Sequence, residues 1–270
     1  MDWNKTKTIF IVVFSILNVF LYSLYVTQRS ETLNVKIQGN VSIEDSLRFD
    51  NITYGELPKN NEDSYFVSAE IAVFSEEGLA SLQNQAIEVE DGTHLYSTIK
   101  KPISLNDSSG EIDFNSFLYD YVLHGEQYVL WKRNDKERKA TFFQHVSGQP
   151  IYFNQNAMLT LYWNESDEVI RYEQRMFGEF VSFNRKKDVL PPLQAINTLN
   201  TRNYLKPDSK VLSMKLGYST LAQLTKTQVF APTWYIQVEL SSGELEDFFI
   251  NANDGKIIEF QSEKVEHKEE

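Results

Sequence analysis

Residues 233–260 read TWYIQVELSSGELEDFFINANDGKIIEF. Three runs rich in β-branched and aromatic residues, at 233–240, 245–251 and 256–260, are separated by Ser242-Gly243 and Asp254-Gly255. Such pairs supply the left-handed backbone that a tight hairpin turn requires. Strands joined by connections this short run antiparallel. The C-terminal third therefore reads as an antiparallel meander.

Working upstream, the same grammar recurs. Strands are predicted at 127–133, 139–146, 150–153, 157–163 and 168–177, with turn clusters RNDKE, SGQP and NESD between them. In MLTLYW (158–163) only Thr160 is polar, which predicts a central strand buried on both faces. QPIYF (149–153) answers APTWYI (231–236), and SDEVIRYEQ (166–174) answers NDGKIIEFQ (253–261). Each meander is preceded by a helical pattern. In FNSFLYDYV (114–122), Phe114, Phe117, Leu118 and Tyr121 share one face; in LPPLQAINTLNTRNYL (190–205), prolines open the first turn and Leu193, Ile196, Leu199 and Tyr204 form a stripe. Further strands are expected at 65–74, before a helix capped by Ser75, and at 210–218 and 226–230.

The fold class expected is α+β: two related units, each a helix packed on an antiparallel β-sheet, at 65–188 and 189–262, followed by a charged tail at 263–270. Two separately built sheets are the alternative. Residues 27–64 read as a stalk with one short helix, for which Ser42 is the cap and Asp45 holds the capping-box position.

At the other end lies KTKTIFIVVFSILNVFLYSLYV (5–26). No charged residue occurs from Thr8 to Val26, a run of roughly 28 Å at about 1.5 Å per helical residue. It is long enough to span a bilayer as a transmembrane helix. A signal peptide would have a shorter apolar core ending in small residues, whereas this run exits through Tyr22, Leu24, Tyr25 and Val26. An uncleaved anchor is expected. Lys5 and Lys7 precede it and only Arg29 closely follows, so residues 1–7 form a cytoplasmic tail and the chain beyond the helix lies outside. Trp3 on the inner side and Tyr22 and Tyr25 on the outer side suit the two interfaces.

Composition narrows function. The formal net charge is −12, a poor match for phosphate-rich partners, so nucleic acid is excluded as a partner. The 41% apolar and 13% aromatic content can fill a core, and with no cysteine there is neither a disulfide framework nor thiolate chemistry. A cell-wall hydrolase is the rival class. The chain has no G-x-S-x-G, S-x-x-K or H-E-x-x-H, and His94, His124, His145 and His267 stand singly. No catalytic residue, metal ligand or cofactor site is assigned. Two site readings remain. Ile11, Ser15, Asn18, Tyr22 and Tyr25 follow 4, 3, 4, 3 spacing and form a stripe on the apolar helix, where an amide facing lipid is unfavourable and one facing another helix is not. Tyr152, Trp163, Trp234 and Tyr235 are candidates for an aromatic binding face.

MDWNKTKTIFIVVFSILNVFLYSL (1–24), EDSLRFDNITYGELP (44–58) and PTWYIQVELSSGELEDFFINANDGKI (232–257) together resemble the YycI (WalI) family. The resemblance implies a single-pass accessory regulator of the essential YycF/YycG (WalR/WalK) two-component system of low-GC Gram-positive bacteria. Such a protein would act with the sister protein YycH (WalH) on the sensor histidine kinase YycG (WalK), which controls cell-wall metabolism, mainly through transmembrane-helix contacts. It also implies YycH-like α+β units and no catalytic residues. The alternative function is an anchored extracytoplasmic module that binds a ligand or acts like a protease inhibitor.

Overall fold

In a computed structural model of the chain, residues 3–33, 42–59, 65–186, 189–223 and 226–260 are described. The expected tail at 263–270, and parts of the stalk at 34–41 and 60–64, lie outside them. The chain divides into two compact units, Met1–Asn51 and Ile52–Glu270.

The first unit is helical. Helix α1 (Trp3–Leu33) runs past Val26, so the beginning of the expected stalk continues the helix. Its segment Lys7–Leu24 is long and apolar enough to cross a membrane, and none of it is buried. In α2 (Ile43–Phe49), the Ser42 hydroxyl accepts the Asp45 N–H at 3.1 Å, satisfying a donor that the helix start would otherwise leave open.

The second unit is mostly sheet, a mixed α+β architecture. In chain order it contains β1 (Thr53–Tyr54), β2 (Tyr65–Glu70), α3 (Glu76–Ala80), β3 (Gln85–Glu90), β4 (His94–Ser104) and α4 (Phe114–Tyr121). Next come β5 (Tyr128–Asn134), β6 (Lys139–Val146), β7 (Gln149–Pro150), β8 (Met158–Trp163), β9 (Glu168–Gln174) and β10 (Val181–Lys186). The last elements are α5 (Pro192–Thr201), β11 (Lys210–Gln223), β12 (Thr227–Glu239), β13 (Leu245–Asn251) and β14 (Ile257–Ile258).

One antiparallel sheet has the order β3-β4-β9-β8-β6-β5, with β7 beside β6. The apolar run at 158–163 is central, as its composition predicts: β8 lies between β6 and β9, burying Leu159, Leu161 and Trp163 on one face and half-burying Met158, Thr160 and Tyr162 on the other. Helix α4 covers this sheet. Asp113 caps it by accepting the Asn115 and Ser116 N–H groups, and Phe114, Phe117 and Leu118 pack among Phe142, Leu159, Leu161 and Tyr172.

The other sheet is built on β12, which pairs with β11 over nearly its whole length, with β13 from Thr233 to Glu239 and with β2 from Thr227 to Phe230. The sequence predicts two strands here, broken at Ala231-Pro232; the structure has one. Pro232 stands opposite Tyr218, whose carbonyl points away from β12 to accept the Tyr152 N–H at 2.8 Å. The ladder asks for no N–H at that position, so proline is accommodated. Helix α5 backs the sheet with Ala195, Ile196 and Leu199 buried, while Leu193 is half-buried and Tyr204 is exposed.

Strands β2 and β10 pair with each other, and β2 with β12, so both belong to the second sheet. The chain enters that sheet through β1 and β2, leaves to form the whole of the first sheet, and returns through β10. Segments 65–188 and 189–262 therefore do not each hold one complete sheet.

Candidate functional site

The two sheets meet at residues 149–152. After the short β7, Ile151 forms an isolated parallel bridge to Tyr218 on β11, and the Tyr152 ring lies over Gly217. A Cβ built on Gly217 would stand 2.4 Å from Tyr152 Cε2 and 2.5 Å from the Pro150 carbonyl oxygen, so only glycine permits the approach. The strand expected at 150–153 ends early for the same reason. Ile151 donates its N–H to the Gln144 carbonyl of β6 at 2.9 Å while bridging to β11, and Phe153 adopts a left-handed φ of 49°.

Beside this joint is a cavity of about 740 Å³. Its aromatic wall centres on Trp131, with ring centroids 5.0 Å from Tyr235, 5.1 Å from Phe143 and 5.8 Å from Tyr152. Gln237 Nε2 donates to the Tyr235 hydroxyl at 3.1 Å, and that hydroxyl donates to Asp247 Oδ1 at 2.9 Å. Burial first, and then Asp247, push the Tyr235 phenol far above its ordinary range. The Tyr152 hydroxyl has no partner among the described residues, and burial pushes its pKa up as well. Lys59 and Lys215 also line the cavity, against the chain's acidic balance.

Of the four aromatics proposed from sequence, three reach this cavity: Tyr152, Trp234 and Tyr235. They do so from largely buried positions, with 1%, 2% and 7% of their surface exposed. Trp234 also donates its indole N–H to the Leu190 carbonyl at 2.8 Å. Trp163 is elsewhere, 4% exposed in the core of the first sheet, with its ring 5.7 Å from Phe114. Trp131, the centre of the cluster, is missed because WKR inside a strand pattern does not reveal which sheet edge it will occupy.

On α1, Ile11, Ser15, Asn18 and Tyr22 are all exposed; the Tyr25 side chain lies outside the described residues. At about 100° per residue the positions 11, 15, 18, 22 and 25 span an arc of roughly 80°. Asn18 Nδ2 donates to the Phe14 carbonyl at 2.9 Å, within the same helix. That bond answers one amide donor and leaves the Oδ1 acceptor for another partner.

A separate polar cluster surrounds His94. Its Nδ1 accepts from Arg175 Nη2 at 2.9 Å and lies 2.8 Å from the Tyr96 hydroxyl, and burial followed by the Arg175 charge holds the imidazole pKa below its usual value. Among the described residues no three His, Asp or Glu side chains are placed to hold a metal.

A crystal structure of an uncharacterized protein from Eubacterium rectale matches with 14% identity and a TM-score of 0.47, covering 78% of this chain and 92% of that one. The Bacillus megaterium YpeB C-terminal domain matches with 14% identity and a TM-score of 0.37, covering 82% and 96%. No curated protein matches the chain. The family model described as YycI protein matches residues 30–253. Since that match takes in most of the chain and all the strands of both sheets but the last, the chain belongs to the YycI protein family.

Proposed function

We propose that this protein is a membrane-anchored accessory regulator that modulates the essential, cell-wall-controlling sensor histidine kinase YycG/WalK through contacts of α1, together with YycH/WalH. Family membership implies regulation of the YycG/WalK system, a non-enzymatic role. The observation that carries the finer reading is the exposed side of α1, where Ser15, Asn18 and Tyr22 share one stripe with Ile11 on an otherwise apolar span. In a bilayer, the Asn18 carbonyl oxygen gains a hydrogen bond only across a helix interface, a contribution of about 0.5–2 kcal/mol. A contact made in one kinase state more than another shifts the balance between them.

The reading places the N-terminus in the cytoplasm and the sheets outside. It also holds the two sheets, each backed by a helix (α4 or α5), to be related YycH-like units. Asn18→Leu tests it: insertion and expression should be unchanged, while co-purification with the kinase and transcription of its target genes should shift. If Asn18→Leu, Ser15→Leu and the double substitution all match wild type in both assays, the stripe is not the contact. A second reading, an extracytoplasmic binding module, draws on the cavity at the joint of the sheets.

A further inference from the structure

The cavity follows two strand edges. Four consecutive β11 residues, Ser213 to Leu216, line it, as do three consecutive β5 residues, Val129 to Trp131. Neighbouring residues on a strand point to opposite faces, so consecutive lining residues mean that the cavity runs along the edge of each strand. Strand β5 is the last of its sheet. On β11 the outer edge is taken by β1 at Lys210 and Val211 and by Ile151 at Tyr218. Between them, among the described residues, positions 212–217 pair only with β12.

The register fixes which groups are left open. The Tyr218 carbonyl points outward to Tyr152, and the two-residue alternation therefore turns the N–H and C=O of Leu216 and Met214 outward too. These two sets of groups stand two residues apart, about 7 Å along the edge. Two unpaired edges flanking one cleft are a template for an added strand.

We propose that this cleft binds an extended polypeptide segment of a partner, added as a strand along β11, with acidic side chains set against Lys59 and Lys215. Charge complementarity selects the occupant: on a chain with net charge −12, both these lysines line the cleft, and neither has an acidic partner among the described residues. Lys215 shares a sheet face with its cross-strand partner Tyr235 and the aromatic wall, so the acidic side chains lie on that face and the apolar ones that alternate with them lie on the face of Met214 and Leu216. This docking site stands apart from the reading of α1.

The test uses the full chain in lipid nanodiscs and three capped hexapeptides: one alternating valine and glutamate, its lysine counterpart, and the acidic peptide N-methylated at alternate residues. Amide hydrogen exchange across 212–217 and 128–131 should slow with the acidic peptide, with at least tenfold weaker binding of the other two. Lys215→Glu should weaken the acidic peptide at least fivefold and strengthen the lysine peptide. Leu216→Pro, which removes one outward N–H but no bond to β12, should abolish protection. The proposal is overturned if 212–217 shows no protection at millimolar peptide, if the N-methylated peptide binds equally well, or if the edge is already protected by self-association of the chain.

Discussion

Gly217 shows how much one missing side chain controls. The two sheets approach because the Tyr152 ring lies where a β-carbon would be, 2.4 Å away, and neither the Pro150 carbonyl nor the β11 backbone can yield cheaply. Gly217→Ala should therefore cost about 1–3 kcal/mol, as overpacking does, read as a lower chemical-denaturation midpoint. Trp163→Ala, deep among Phe114 and its neighbours, should cost about 3–5 kcal/mol by leaving a cavity in the first sheet. His94 contributes in the other direction of pH. Its folded pKa lies below the ordinary 6.5, so below that pH the unfolded chain takes up a proton that the folded chain refuses. This contribution is complete above about pH 6.5 and is lost as pH falls toward the folded pKa. His94→Gln should flatten the pH dependence of the denaturation midpoint over that window. Caps were legible at this scale: the Ser42 and Ser75 hydroxyls accept the Asp45 and Gly78 N–H groups. Which core an aromatic joins was not, since Trp163 and Trp234 are both buried strand residues yet serve different packing sites.

Elements were readable wherever composition and turn chemistry agreed. The turn dipeptides Ser242-Gly243 and Asp254-Gly255 do separate β12, β13 and β14, and both glycines have positive φ. The hairpin of β3 and β4 went unread because QAIEVE and HLYSTIKK carry too many charged and polar residues to announce strands. Their pairing is held by position, with β4 next to β9, and by buried polar bonds such as Ser97 to Gln85. Continuity of β12 was also hidden, because a proline in a sequence gives no sign of whether its N–H would have been needed. Phe230, fully buried where β12 crosses β2, ties these elements together. Phe230→Ala should cost about 3–5 kcal/mol and speed amide exchange in β2 and β12 together.

At the scale of the molecule, the first sheet is inserted between strands of the second, and the bridge at Ile151–Tyr218 fastens them again. A local reading of sequence finds helices followed by meanders, but which edge a returning strand joins is a long-range choice between β2, β10 and β12. Nesting makes the unit 52–260 expected to unfold in one cooperative thermal transition, with calorimetric and van't Hoff enthalpies equal; two separate transitions would show the sheets to be independent. The anchor is expected to be retained: protease added to intact protoplasts should remove the sheets and leave a membrane-held stub, whereas a mature chain starting near residue 27 in the medium would contradict it.

The central claim concerns α1, and the absence of cysteine from the chain makes it directly measurable. Single cysteines placed along α1, in membranes containing the kinase with a cysteine-scanned helix, report contact as disulfide yield. The account predicts high yields for Ile11→Cys, Ser15→Cys, Asn18→Cys and Tyr22→Cys and low yields for Val13→Cys and Phe20→Cys on the opposite side. A flat profile, or one peaking at 13 and 20, would contradict it.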